Sequence, residues 1–312
     1  MEVEEAIKFH DRYLKNGLSS CQTKPINYLS DEFWVLLEEP SVLLPFEIQP
    51  IKIPCGDPSE LVTCGYAIIP SSKDDEDQIV RLGTLSQIVA VGSAKIVLVQ
   101  GLKRVYFKLT ESLEKGKVVR EDLDTNPNIS EGINWINRLI LRQLEIDNLK
   151  EDSFVTCSKK LLLSDDLRLK FFLNKSSFQR KLLSRAFLDL VEDQKIYCYV
   201  CYKQFSESTV LCKNFADYQS TISCINKSGN LFRIALIRDS MISLCNIGSH
   251  SGPFTDYSWF QDYAWSFAHC LRCGSFLGWK FTPTRKNLTG LPFWGIQTNL
   301  IRNSDKFSKY FD

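Results

Sequence analysis

The sequence predicts a mainly β chain with a helical linker, and three observations carry that prediction. From Phe33 to about Leu109 the text is a series of short β-branched and aromatic runs broken by Pro, Gly and polar turns. Apart from one short helix in the first 30 residues, helical periodicity falls in a middle stretch between about residues 130 and 190. From Ile196 onward short strand-like runs return, now carrying two Cys-x-x-Cys pairs.

Taken in order, residues 1–30 read as a polar leader holding one short amphipathic helix. The runs LLPFEIQPIKIPC, ELVTCGYAIIP, GTLSQIVAVGSAKIVLVQGL and KRVYFKL then read as strands, with SSKDDEDQ at 71–78 a solvated loop. In the middle, Ile133, Ile136, Ile140 and Leu144 recur at helical spacing. Ser164 is placed to cap a second helix, with Asp165 and Asp166 at the positive end of its dipole. A third helical signal sets Phe178, Leu182, Ala186 and Leu190 near one face. The expected domains are a strand-rich unit over 31–194, including the helical segment 130–194, and a second unit over 195–312.

At 312 residues the chain is long enough for two cores. A net charge of +1 argues against nucleic acid or an anionic membrane held by bulk charge. The first residues lack the apolar stretch of a secretory signal, and no run approaches the roughly 20 apolar residues of a membrane helix. Eleven cysteines is an odd number. Without a signal they suggest a reducing compartment, cytosol or nucleus, and metal ligation before disulfides. The Asn-x-Ser/Thr sequons at Asn128, Asn174, Asn226 and Asn287 then have no glycan to carry.

The two cysteine pairs are Cys198 with Cys201 and Cys270 with Cys273. Two thiolates three apart grip one ion from a tight turn, and two such turns complete a tetrahedral sulfur set. Their distance along the chain makes that ion structural. Buried or redox cysteines are the plainer alternative. His269 adjoins Cys270 as a possible ligand, whereas Cys212, Cys224 and Cys245 read as single core thiols.

Trp259, Trp265, Trp279 and Phe281 crowd the same stretch. Large rings usually fill a core. Here their spacing fits neither a helix stripe nor one strand face throughout, Gly274 and Gly278 leave backbone close by, and Asp256, Tyr257 and Ser258 flank the first indole. Such rings either pack under the knuckles or wall a pocket for a flat or cationic ligand.

The order C-x-x-C, Asn226, TDYSWFQDYAWSFAHCLRCGSFLGWKF and PFWG resembles the CULT domain of the cereblon family. Both cysteine pairs and the S-W-F, Y-A-W, G-W-K-F and F-W-G motifs fall in the family's order, from Ile196 to about Ile301. LLLSDDLRLKFFLNKSSFQRKLLSRAF is similar to that family's linker helices, and LLPFEIQP, GTLSQIVAV and QGLKRVYFKL to its Lon N-terminal-like domain. The resemblance implies a Lon N-terminal-like β domain followed by a zinc-pinned β-tent. It also implies one structural zinc ion on Cys198, Cys201, Cys270 and Cys273, and a cage of Trp259, Trp265 and Trp279 lined by Phe281, with Asn226 on its flap and Tyr257 at its edge. The family's members are substrate receptors of a cullin-RING ubiquitin ligase. The implied ligand is a glutarimide-like cyclic imide, free or at a substrate protein's C-terminus, and the implied partner is the ligase's DNA-damage-binding adaptor.

Three features depart from the family's pattern. Tyr257 stands where the family usually has His, and Asn226-Lys227-Ser228-Gly229 replaces Asn-Pro-His-Gly. The segment between the Lon-like strands and the linker helices, which carries much of the adaptor contact, is shorter than in vertebrate members. Two other functions compete with the receptor. One is a stand-alone binding module for a small molecule or modified peptide. The other is an enzyme like methionine sulfoxide reductase B, which needs a reactive thiolate that Cys212, Cys224 or Cys245 would have to supply. No Ser/His/Asp or Ser/Lys set is placed for catalysis.

Overall fold

The computed structural model describes residues 3–21, 33–37, 43, 47–53, 65–69, 80–93, 95–110, 115–121, 195–206, 221–239, 247–285 and 290–303. The chain divides into two compact units, Met1–Pro127 and Asn128–Asp312. The helices expected between 130 and 194 lie outside the described residues, as do the loop at 71–78, Cys212 and Cys245. The described parts are mainly β, as the sequence predicts. Among them no helix is long and apolar enough to cross a membrane.

In the first unit, α1 (Val3–Leu14) precedes β1 (Ser19–Ser20), β2 (Phe33–Leu37), β3 (Ile48–Lys52), β4 (Gly65–Ile69), β5 (Val80–Val91), β6 (Ile96–Leu109) and β7 (Lys115–Glu121). The sheet order is β1-β5-β4-β2-β7-β6-β3, and β5 also pairs with β6. Five strands, β5-β4-β2-β7-β6, thereby close on themselves, with β1 and β3 added on β5 and β6. Closure is possible because β5 and β6 are long enough to change partners along their length. β5 meets β4 through Leu82–Ser86 and β1 through Ala90–Val91, with bulges where its register to β6 shifts. Phe33, Val35, Leu85, Val105 and Phe107 fill one part of the interior. Helix α1 lays Ala6 against Ile48, Val89, Ala90 and Leu98, so the leader's helix belongs to a core.

The described second unit contains β8 (Ile196–Cys198), β9 (Gln204–Ser206), β10 (Thr221–Ile225), β11 (Leu231–Arg238), β12 (Ile247–Phe254), β13 (Tyr263–Cys270), β14 (Phe276–Pro283), β15 (Phe293–Gln297) and β16 (Ile301–Asn303). Six strands form an antiparallel sheet in the order β10-β11-β15-β14-β13-β12, and three form a smaller one, β16-β8-β9. Strand alternation gives the large sheet two faces. Ala235, Ile237, Ala268, Cys270, Leu277, Trp294 and Ile296 form one core with Ile196, Cys198, Phe205 and Ile301 of the small-sheet segments. The opposite face carries the aromatic crowd.

Two local features keep those faces distinct. Gly278, at φ +146°, lets β14 approach β15 so closely that any Cβ there would overlap the Gly295 carbonyl. Beside it, a register shift pairs Ala268 with Gly278 but His269 with Phe276. The additional residue is Leu277, which joins the core shared with the small sheet, while Phe276 turns to the aromatic side.

Candidate functional site

The four paired cysteines come together. Their Sγ atoms all lie within 4.8 Å of one another, with Cys198–Cys273 at 3.8 Å and Cys201–Cys270 at 3.6 Å. A tetrahedral ion with metal–sulfur bonds near 2.3 Å requires sulfur–sulfur edges of about 3.8 Å. The cluster therefore has the size and donor chemistry of a four-thiolate metal site.

Each knuckle is built in the same way. Cys198 N–H donates to Lys203 O and Tyr202 N–H to Cys198 O, at 2.8 and 3.0 Å. In the second turn Cys270 N–H donates to Ser275 O and Gly274 N–H to Cys270 O, at 2.9 and 2.8 Å. The left-handed position is filled by Tyr202 (φ +60°) in one and Gly274 (φ +73°) in the other. Burial pushes the Cys198 thiol up to about 12 and raises Cys270, while the Ser275 hydroxyl, 3.2 Å away, draws exposed Cys273 down to about 6. A bound cation would hold all four as thiolates. His269 lies on the other face, edge-on to Phe276 at 5.7 Å.

The tryptophans do not pack under the knuckles. Trp294 fills that core instead, its Nε1–H donating to Asp239 Oδ1, which also pairs with Lys280 at 3.1 Å. On the opposite face, Trp259 and Trp279 stand perpendicular, their ring centroids 4.6 Å apart at 75°. Trp279 projects from β14, backed by Phe232 (5.1 Å) and Phe276 (5.3 Å). Trp259 sits on the 255–262 loop and is pinned by its Nε1–H, which donates to Ile225 O at 2.6 Å. Phe281 is fully buried beneath it, 6.2 Å from Trp259 and stacked on Phe293 at 5.0 Å.

Trp265 lies on the same face of β13, cross-strand from Phe281. Its ring meets Phe254 and Phe267, at 4.9 and 5.2 Å, and its Nε1–H donates to Asp256 O at 2.8 Å. Phe267 and Phe276 continue the aromatic line from Trp265 to Trp279. Asn226 opens the β10–β11 turn, where its Oδ1 accepts the Asn230 N–H at 2.8 Å. Tyr257 is 64% exposed at φ +58°, with Lys227 Nζ 4.3 Å from its ring centre. Sequence reasoning missed Phe232, Phe254, Phe267 and Phe276 as ring neighbours; the alternation of FRIAL and WSFAH was the available signal.

No protein-family model matches the chain. In sequence it is similar to cereblon from Gallus gallus, 29% identical over 169 residues, covering 50% of this chain and 35% of that protein. Cereblon from Danio rerio is 28% identical over 167 residues, covering 50% and 36%. Cereblon from Xenopus tropicalis is 42% identical over 57 residues, 18% of this chain and 13% of that protein. The matches thus span about a third or less of the relatives' own length. Among solved structures, an N-terminal domain of Lon protease from the Mycobacterium avium complex aligns with a TM-score of 0.37 and 13% identity, over 51% of this chain and 98% of its own. The relatives share a name: over about half of its length the chain is similar to cereblon.

Proposed function

We propose that this chain is a non-catalytic substrate receptor that reads glutarimide-like cyclic imides, including those at protein C-termini, and presents their bearers to a cullin-RING ubiquitin ligase. The supporting observation is the perpendicular Trp259–Trp279 pair, with Trp265 on the same sheet face. A cyclic imide is flat and apolar along its methylenes, yet carries an N–H between two carbonyls. Indole faces set at 75° suit the methylenes. The loop backbone around Tyr257 and Trp259 offers groups to the imide, which must be met once the ring leaves water. Asn226 and Tyr257 frame the rim in this reading, and Phe281 supports Trp259 from below.

Zinc is the ion proposed for the four cysteines, because it favours a closed tetrahedral thiolate set and brings no redox chemistry. The reducing cytosol and nucleus, where such thiols persist, are the proposed locations. The partner proposed from the family is the DNA-damage-binding adaptor, with no nucleic acid and no membrane involved.

Titration of the purified protein with a glutarimide compound by calorimetry tests the binding step. Saturable heat lost in Trp259→Ala supports the reading, and no heat at millimolar ligand removes it. Recovery of the adaptor with the tagged chain from its native cell tests the ligase step. Saturable imide binding without the adaptor would leave a stand-alone binding module.

A further inference from the structure

We propose that Lys227 makes the site prefer imide ligands that carry an anionic group beside the buried ring. This rests on the imide reading above and extends it from the head group to its neighbour.

Burial falls off from Trp279 toward the 226–229 turn and the 255–258 loop. Phe281 and Trp279 are buried, Trp259 is half-buried, and Tyr257 and Lys227 are exposed. A ligand seated against the Trp259–Trp279 pair can send its remaining substituents out past the 226–229 turn and the 255–258 loop. The 225–229 and 255–259 segments are joined twice. Trp259 donates to Ile225 O, and Lys227 Nζ stands 4.3 Å over the Tyr257 ring. The cation–π contact holds the ammonium on the rim instead of leaving it to sweep through solvent.

Among the described residues no carboxylate pairs with Lys227, in contrast to Lys280, which Asp239 neutralises on the other face. A quadrupole attracts a cation without cancelling its charge, so an approaching carboxylate meets a positioned positive group. Asn226 and Gly229 close the same turn through backbone bonds, which fixes where Lys227 starts. The ligand class is thus a chain ending in a cyclic imide with an acidic residue, Asp or Glu, immediately before it.

The test compares two short peptides that end in an aminoglutarimide and differ only in Glu or Gln before it, titrated by calorimetry. For an exposed ion contact the Glu form should bind about two- to fivefold tighter at low salt. That ratio should fall toward one at about 0.5 M salt, where the screening length is only a few ångströms. In Lys227→Met it should collapse, and in Lys227→Arg it should persist. Equal affinity for both peptides in the native protein overturns the inference and leaves the imide reading intact. A preference that survives Lys227→Met also overturns it. If neither peptide binds, the imide reading fails and takes this inference with it.

Discussion

One face of the six-stranded sheet packs toward the small sheet, where four thiols gather, and the other carries perpendicular indoles, yet β13 and β14 contribute side chains to both faces. On β13, Ala268 and Cys270 point into the core shared with the small sheet, while Trp265 and Phe267 point to the aromatic side. The first face is closed: its apolar residues are almost fully buried and its sulfurs are at bonding distance for one ion. The second is graded from buried Trp279 to exposed Tyr257, and has a rim. A closed face suits folding, a graded one suits a ligand. Holding the second open while the first is pinned requires the pin to be strong.

The largest expected effect therefore comes from the metal face. Cys270→Ser should abolish stoichiometric metal and unfold the second unit, since structural four-ligand sites supply on the order of 10 kcal/mol or more of apparent folding free energy. Near-ultraviolet circular dichroism with metal analysis checks this. A folded, metal-free Cys270→Ser protein would make the cysteines ordinary core residues. Next is Gly278→Ala, which strikes the junction of both faces. Its Cβ would overlap the Gly295 carbonyl, so β14 and β15 must separate. A loss of about 3 kcal/mol or more is expected in a denaturant titration, with both metal and ligand binding weakened.

These two positions also show what the sequence could and could not give. Cys270 was legible because a metal needs ligands at fixed spacing, and spacing survives in a string of letters. Trp259, Trp265 and Trp279 were legible as a set through their motifs, but whether they packed beneath the knuckles was open. The answer lies in parity: Trp265 and Cys270 are five apart on one strand, and an odd separation places them on opposite faces. Parity along β14 is broken by the extra residue at Leu277, which no propensity announces. The closed ring of β5-β4-β2-β7-β6 was legible only as short strands. Its parallel β2–β4 pairing depends on long-range partners that local patterns do not encode. The turn bond of Asn226 and the Lys227–Tyr257 contact likewise depend on how the chain folds and not on local pattern.

The smallest expected effect is at the rim. Tyr257→Phe keeps the ring that Lys227 covers and removes only an exposed hydroxyl. Glutarimide affinity should change by less than about twofold, because the phenol competes with water for any bond it makes. A tenfold loss would place that hydroxyl on the ligand and turn the rim into part of the binding floor.

The separation of the two faces is tested most directly by Trp279→Ala, measured twice on one sample. Native mass spectrometry reads the metal and calorimetry reads a glutarimide compound. Truncating a buried ring in a binding centre costs about 2 kcal/mol or more, so affinity should fall about thirtyfold or further. The same protein should retain one metal ion per chain, because Trp279 is absent from the core beneath the cysteines. Trp259→Ala, which removes a half-buried loop ring, should give the same pair of readings with less risk to folding. Unchanged affinity in a folded, metal-loaded variant, or loss of the metal together with the ring, would contradict the account.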